Sequence, residues 1–242
     1  MRHHDDRRPE AGPVAPPLLC VPGAPTRDAV VLRLSESDTG TVELRDTSLC
    51  VAVDGIGASG KTRFTAMLAE SATHRRAVVL HADDFFNPPS VRHARGRNSP
   101  EGFWLDAYDL DALSAAVLRA SGTPDDPLVL VEGTFLHRDE LAGLWDFSFF
   151  LDVPFDEAAR RMSERDGLAR DDPRHGRYRG AQELYFEAAR PWERASLVVD
   201  TSRPDAPRIV DPASSAAARA LAAGALSPPR SPRRTPTRLD RT

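Results

Sequence analysis

The chain has 242 residues, of which 40% are hydrophobic, and a formal net charge of −4 with an isoelectric point near 6.0. This length suits one α/β domain with flanking segments, and the acidic balance argues against a nucleic-acid partner. Cys20 and Cys50 lie far apart without a partner motif, which excludes a disulfide framework and suits a reducing cytoplasm. No segment has the pattern of a signal peptide or of a membrane-spanning helix. We therefore expect a cytoplasmic protein with no membrane partner.

The two ends of the chain differ in composition from its middle. Residues 1–26 are rich in Pro and charge, and we predict that they are disordered. Residues 27–46 have the pattern of a β-hairpin extension, to which the sequence assigns no role. The compact domain is predicted over residues 47–210. An Ala-rich terminal helix is predicted over 211–226, followed by a disordered basic tail over 227–242.

Predicted strands and helices alternate through the compact domain. Strands separated by helices imply parallel pairing with right-handed crossovers, and ligands in such sheets bind at the carboxyl ends of the strands. The sequence therefore predicts a three-layer α/β fold around a central parallel five-stranded sheet. The predicted strands are 49–54, 77–81, 127–131, 147–152 and 197–200, and the predicted helices are 63–72, 110–120, 155–165 and 180–189.

The segment between the first strand and the first helix fits G-x-x-x-x-G-K-[ST] at every fixed position. It is Gly55-Ile56-Gly57-Ala58-Ser59-Gly60-Lys61-Thr62. Lys61 is the only lysine in the chain, where a P-loop needs a slim point charge beside the β- and γ-phosphates. The glycines let backbone N–H groups converge on phosphate, and Thr62 supplies a hydroxyl for Mg²⁺. The pattern predicts a P-loop NTPase fold that binds ATP and Mg²⁺; the alternative is a chance match in a turn.

Carboxylates follow the next two strands. Asp83 and Asp84 come directly after the second strand, where a carboxylate can position and deprotonate an acceptor hydroxyl. One of the two suits an N-cap or turn aspartate equally well. Glu132 ends the third strand, beside Gly133, and is placed to hold the Mg²⁺ hydration shell. The alternative for Glu132 is a turn glutamate.

An Arg-rich segment follows the fourth strand. Arginine forks match phosphate oxygens, and the polar, Gly-containing stretch 166–179 is typical of a mobile lid. Pairing with neighbouring acids in a solvated helix explains some of these side chains equally well. The arginines concerned are Arg160, Arg161, Arg165, Arg170, Arg174 and Arg177.

Together these motifs resemble the uridine kinase and phosphoribulokinase branch of P-loop kinases, over about residues 49–210. The order of the motifs carries the resemblance: the P-loop, then D-x-F-[FY], an acidic-aromatic segment, E-G and an Arg-rich lid. The Arg- and Ala-rich composition is similar to that of actinobacterial members. The resemblance implies that Asp83 is the catalytic base and that Glu132 is associated with Mg²⁺. It also implies that Arg165 is the catalytic arginine at the end of the helix after the fourth strand and that Arg170 is a lid arginine. It also implies a homo-oligomer, although the sequence shows no interface signature.

The chain departs from the family pattern at two places. Phe103 occupies the position of an aspartate that binds ribose hydroxyls, and a short connection at residues 120–127 replaces the substrate-binding hairpin of uridine kinases. Candidates for the acceptor pocket are Phe86, Phe103, Trp104 and Tyr108, which suit packing under the lid equally well.

The sequence thus predicts an ATP-dependent kinase that phosphorylates a hydroxyl of a small molecule, with a uridine- or cytidine-like nucleoside as the first choice of acceptor. A kinase of a non-nucleoside alcohol, such as a sugar, a pantothenate-like alcohol or a secondary metabolite, is one alternative, and the missing hairpin favours it. A regulatory protein that binds ATP without transferring phosphate is another, although Asp83 and Glu132 argue against it.

Overall fold

The computed structural model describes residues 49–167, 169 and 172–224, together with the backbone of four two-residue strands nearer the N-terminus. Leu18–Leu19 pairs antiparallel with Leu32–Arg33, and Ala29–Val30 pairs antiparallel with Val42–Glu43. The second pairing joins the two arms of the hairpin predicted over residues 27–46. The remainder of that hairpin, the remainder of the N-terminal tail and the basic tail at 227–242 lie outside the described residues.

The described domain is built from alternating strands and helices. The strands are β1 Leu49–Gly55, β2 Ala77–His81, β3 Leu128–Gly133, β4 Phe147–Asp152, β5 Leu197–Asp200 and β6 Arg208–Val210. The helices are α1 Lys61–Ser71, α2 Pro89–Arg92, α3 Pro100–Asp106, α4 Leu110–Ser121, α5 Phe155–Asp166, α6 Pro173–Ala189, α7 Pro191–Arg194 and α8 Ala216–Ala222. Short 3₁₀ helices cover Ala82–Phe85, Asp139–Leu144 and Pro212–Ser214. Within the described residues, no helix is both long and apolar enough to cross a membrane.

One six-stranded sheet, in the order β6-β5-β4-β1-β3-β2, forms the centre of the domain. The strands β1 to β5 run parallel, as the sequence predicts. β6 is an addition that the sequence analysis missed: it pairs antiparallel with β5 and extends the sheet at one edge. β1 lies in the middle and is buried at every position, which explains why it is an unbroken apolar run up to its last two residues.

Side chains of β1 alternate between two separate cores. Val51 and Val53 pack with Phe64 and Leu68 of α1 on one face. Cys50 and Ala52 face the other core, which includes α4 and α6. The alternation follows from the two-residue period of a strand, and it gives the three layers that the sequence predicts. The helices on the two faces of the sheet therefore pack against β1 from both sides, and the P-loop begins at the carboxyl end of this strand.

α6 begins seven residues earlier than the sequence analysis predicts. Asp172 caps it by accepting a hydrogen bond from the Arg174 amide at 2.9 Å, and Pro173 occupies its first position. The second half of the stretch 166–179, predicted as a mobile lid, is therefore helical. Gly180 lets this helix approach α3, because a Cβ there would lie 2.8 Å from Pro100 Cγ. α3 itself, within the acidic-aromatic segment, was not predicted as a helix.

Candidate active site

A cleft of about 800 Å³ lies at the carboxyl ends of β1, β2 and β3. The P-loop forms its floor through Gly57, Ala58, Gly60, Lys61 and Thr62. The cleft brings together most of the residues that the sequence singles out. The predicted side chains that line it are Lys61, Thr62, Asp83, Asp84, Phe86, Phe103, Tyr108, Glu132, Arg161 and Arg165. Gly55 and Ile56 lie at the start of the loop, and Ser59 is buried beneath it.

The P-loop backbone depends on its glycines at two points. Gly60 has φ +93°, a left-handed conformation that L side chains rarely adopt, and it immediately precedes α1. At Gly55 a Cβ would lie 2.5 Å from Ser59 Oγ and 2.8 Å from the Leu151 carbonyl oxygen. The loop therefore has no room for larger residues at its first position and strongly disfavours them at Gly60.

The Lys61 ammonium folds back over the loop. Its Nζ donates hydrogen bonds to the carbonyl oxygens of Gly55 and Ile56, both at 3.0 Å. Burial lowers the pKa of Lys61 from its ordinary value, and the nearby carboxylates of Glu132, Asp54 and Asp83 oppose that shift. A phosphate in the loop would supply a stronger partner than two carbonyl oxygens.

Glu132 and Thr62 meet next to the P-loop. The Thr62 hydroxyl donates to Glu132 Oε1 at 2.8 Å, and His81 Nδ1 lies 2.7 Å from the same oxygen. Glu132 is only 8% exposed. A hydroxyl and a carboxylate at hydrogen-bonding distance are oxygen donors of the kind that Mg²⁺ prefers alongside phosphate and water, so these residues fit the ion.

Asp83 lines the same cleft as the P-loop and lies in the 3₁₀ helix after β2. Its Oδ1 accepts a hydrogen bond from the Tyr108 hydroxyl at 2.9 Å. Burial, together with the negative charge of Asp83, raises the pKa of Tyr108 well above its usual value, so the phenol stays protonated and donates. Asp83 Oδ2 has no hydrogen-bond partner among the described residues. The hydrogen bond from Tyr108 thus fixes Oδ1 of Asp83, and Oδ2 remains available to a ligand in the cleft.

The predicted arginines separate into different environments. Arg165 lines the cleft, and its guanidinium donates two hydrogen bonds, of 2.6 and 2.9 Å, to the carboxylate of Asp166. Arg170 lies outside the described residues. Arg161 also lines the cleft and donates to the carbonyl oxygens of Thr201 and Ser202, both at 2.9 Å.

The other three arginines of the predicted set do not line the cleft. Arg160 pairs with Glu157 and Glu164, and Arg174 pairs with Asp172, as expected for a solvated charged helix. The Arg177 guanidinium instead lies over the ring of Phe103, which lines the cleft.

Three of the four candidate aromatic residues line the cleft. Phe86 stacks on Tyr108, with ring centroids 5.0 Å apart and an interplanar angle of 6°. Phe103 packs edge-on against Phe135 and reaches the cleft beside Tyr178. Trp104, in contrast, packs on Phe135 and Tyr185 away from the cleft, so its interpretation as a pocket residue is wrong.

A buried polar cluster behind the P-loop was missed by the sequence analysis. Asp54, fully buried, accepts from the Gly55 amide at 2.6 Å and from the Tyr185 hydroxyl, and its Oδ2 lies 2.8 Å from His137 Nδ1. The cluster ties the start of the loop to α6 and to the segment after β3. The sequence signal for this cluster was Asp54, a charged residue near the end of the apolar run of β1.

His81 was missed by the sequence analysis, although it ends β2 two residues before Asp83 and could have been predicted from that position. Arg161, which the sequence analysis did include among the arginines, lies one helical turn before Arg165, on the same face of α5.

Comparisons with known proteins agree with this arrangement. No family model matches the chain. Nicotinamide riboside kinase 2 of Mus musculus is 30% identical over 142 residues, which cover 52% of this chain and 72% of that protein. Nicotinamide riboside kinase 1 of Homo sapiens is 26% identical over 137 residues, 51% of this chain and 68% of that protein. A possible uridine kinase from Bacillus stearothermophilus has the same fold, with a TM-score of 0.51 at 20% identity over 64% of this chain and 90% of that one.

Nicotinamide riboside kinase 2 is 30% identical to this chain, and the chain covers more than two thirds of it, so the two proteins belong to one family. The solved structure of the possible uridine kinase shows that the two chains share a fold. Members of this family transfer phosphate from a nucleotide to a small molecule, so the chain is a phosphotransferase with a hydroxyl group as acceptor. The chain belongs to the uridine kinase-like P-loop kinases, the family that it shares with the nicotinamide riboside kinases.

Proposed function

We propose that the protein transfers the γ-phosphoryl group of Mg-ATP to a hydroxyl of a ribonucleoside-like small molecule in the cytoplasm. The observation that carries the proposal is the single cleft in which Lys61, the Thr62–Glu132 pair and Asp83 all face the same space. The names of the relatives make nicotinamide riboside a first acceptor to consider, beside uridine and cytidine.

The P-loop has the role of holding the triphosphate. Its backbone amides and the N-terminus of α1 bind the phosphate oxygens, and Lys61 moves from its carbonyl partners to neutralise charge on the γ-phosphoryl group. Thr62 and Glu132 would hold Mg²⁺, directly or through water, and the bound ion would supply charge neutralisation for the phosphates. The hydrogen bond between these two side chains already sets their spacing.

Asp83 has the role of general base. Its Oδ2, which has no hydrogen-bond partner within the described part of the chain, accepts the proton of the acceptor hydroxyl while the new O–P bond forms and the bond between the γ-phosphorus and the ADP oxygen breaks. The hydrogen bond from Tyr108 fixes the carboxylate during this step. Arg165 releases Asp166 and turns to the transferring group, and Arg170 assists it; both stabilise charge that develops in the transition state.

The acceptor binds between the aromatic side chains. Phe86, stacked on Tyr108, and Phe103 offer flat apolar surfaces that suit the planar base of a nucleoside. A second candidate is a non-nucleoside alcohol. The described connection between α4, which ends at Ser121, and β3, which begins at Leu128, has no hairpin that could read a base.

The test is ADP release with Mg-ATP and a panel of acceptors, with nicotinamide riboside, uridine and cytidine first, then sugars and pantothenate-like alcohols. Lys61→Ala is the control, because it removes phosphate neutralisation and leaves the acceptor pocket. Nucleoside-dependent release that the control lacks supports the proposal. Turnover only with sugars or other alcohols would select the second candidate, and ATP binding without any turnover would refute both.

A further inference from the structure

The backbone of Phe135 adopts a conformation that bulky side chains rarely take. Its φ is +71°, in the left-handed region, and its side chain is fully buried. Three other non-glycine residues in the described part of the chain have positive φ, namely Ala58, Asp126 and Arg190, and none of them is buried. Such a conformation costs free energy and persists only where the surroundings impose it, which is most frequent at functional sites.

Phe135 lies three residues after Glu132, in the bend that follows β3. The same bend brings Thr134 to the cleft, where its hydroxyl donates to the carbonyl oxygen of Gly55 at 3.4 Å. A backbone hydrogen bond from Thr134 also reaches the Tyr108 hydroxyl and opposes the rise in the pKa of Tyr108 that burial causes. The left-handed residue thus directly follows a residue that contacts both the P-loop and Tyr108.

The ring of Phe135 packs edge-on against the rings of Phe103, Tyr108, Trp104 and Tyr185, with interplanar angles between 66° and 76°. Its centroid is 5.5 Å from that of Phe103 and 6.4 Å from that of Tyr108, and both of these residues line the cleft. Among the described residues, Phe135 is the ring that contacts both of them. Trp104 and Tyr185, at 5.0 and 5.2 Å, support it from the side away from the cleft.

Phe149 shows what a ring that only fills the core looks like. It is 1% exposed, and its centroid is 5.1 Å from those of Phe64 and Phe147. It lies within β4, and none of these three rings lines the cleft. Phe135 differs from it in its left-handed backbone and in its contact with two cleft residues.

We propose that Phe135 is a positioning residue for phosphoryl transfer, which holds Tyr108 and Phe103 so that Asp83 and the acceptor keep a fixed relation. This rests on the proposed function, in which Asp83 is the base and Phe103 is a wall of the acceptor site. Tyr108 donates to Asp83 at 2.9 Å, so a shift of the Tyr108 ring would move the carboxylate. A displacement of about 1 Å between reacting groups lowers a rate by about 100-fold.

Phe135→Leu tests this role, because it removes the ring and keeps a buried apolar side chain. Turnover is measured by ADP release with Mg-ATP and the acceptor panel, and binding by calorimetry of ATP alone and of acceptor with a non-hydrolysable ATP analogue. We expect kcat to fall about 10- to 100-fold. The Kd for the acceptor should rise about 2- to 10-fold, the range of one aromatic pair, and the Kd for ATP should change less than about 3-fold.

Phe149→Leu is the matched control. It should lower the thermal midpoint by about 2–6 °C, as Phe135→Leu should, and keep kcat within about 3-fold of the wild type.

A double variant tests the connection through Tyr108. Tyr108→Phe and Phe135→Leu both disturb the position of Asp83, so the loss of kcat in the double variant should be clearly smaller than the product of the two single losses. A merely structural role for Phe135 would multiply the losses instead.

The two proposals fail in different ways. A kcat of Phe135→Leu within about 3-fold of the wild type, an equal loss in Phe149→Leu, or losses that multiply would each overturn the positioning role and leave the kinase. Acceptor binding without any ADP release would refute phosphoryl transfer; a higher acceptor Kd in Phe135→Leu but not in Phe149→Leu would then support the positioning role, and an unchanged Kd would overturn it. Neither binding nor turnover of any acceptor would overturn both proposals. If Phe135→Leu does not fold, Phe135→Met takes its place, since methionine adapts to irregular spaces.

Discussion

Replacing Asp83 by Asn tests the proposed general base without changing the rest of the site. Asparagine has the same shape, and its Oδ1 can still accept the hydrogen bond that Tyr108 donates at 2.9 Å, so the geometry of the cleft should persist. What disappears is the ability to take a proton. General bases contribute roughly 10²- to 10⁴-fold, so kcat should fall by that factor, equivalent to about 3–5 kcal/mol of transition-state stabilisation.

The assay is ADP release at saturating Mg-ATP and acceptor, with ATP affinity measured separately by calorimetry. The Kd for ATP should change less than about 3-fold, since the P-loop and its magnesium residues are untouched. Asp84→Asn is the matched control: the neighbouring carboxylate also lines the cleft, and its replacement should cost less than about 10-fold. Turnover retained in Asp83→Asn and lost in Asp84→Asn would refute the assignment and make Asp84 the base.

Three further changes test other parts of the molecule. Lys61→Arg should lower kcat by at least about 100-fold in the ADP assay, because a planar guanidinium does not fit beside the phosphates; near-normal activity would contradict this. Glu132→Gln should raise the Mg²⁺ concentration needed for half-maximal activity roughly 10-fold, and an unchanged Mg²⁺ titration would argue against its role. Tyr185→Phe should lower the free energy of unfolding by about 1–3 kcal/mol in urea melts, because buried Asp54 loses a donor; an unchanged stability would show that the cluster reorganises.

Stability should also fall as pH rises above about 10. Burial raises the pKa of both Tyr108 and Tyr185, so the folded protein keeps protons that the unfolded chain releases near pH 10. The stabilisation is complete below that pH and is lost progressively above it. Urea melts from pH 8 to 11 measure the fall, and Tyr108→Phe should make it shallower. Equal slopes in the variant and the wild type would contradict the predicted shift of Tyr108.

Much of the fold followed from local pattern. Short apolar runs separated by amphipathic segments predicted five parallel strands, because strands buried on both faces need no polar alternation. The additional strand Arg208–Val210 was missed since it is short and only half-buried, so its pairing with β5 decides its conformation. The early start of α6 was missed for a different reason. The polar composition of residues 166–179 and Gly176 suggested a loop, whereas the cap at Asp172 and the packing of Gly180 on Pro100 favour a helix.

Side-chain partners could not be read from the sequence in the same way. The P-loop and Asp83 were found because motif and strand end coincide. Arg165 lines the cleft although it pairs with Asp166, whereas Arg174 pairs with Asp172 and does not line it, so the presence of a nearby acid does not decide which arginine faces the cleft. Spacing along the chain does not distinguish these cases.

A charge that ends an apolar run is a useful signal of function here, but it is not sufficient. Asp152 ends β4 in the same way that Glu132 ends β3, yet its two oxygens accept from the amides of Ala216 and Ala217 at 2.6 and 3.1 Å. It binds the N-terminus of α8, is buried and does not line the cleft. Asp83, in contrast, lines the cleft, and its Oδ2 has no hydrogen-bond partner among the residues that the structure describes. The distinction between a structural and a reactive carboxylate thus lies in whether the fold presents it to the cleft, which is why Asp83 rather than Asp152 is the residue to test.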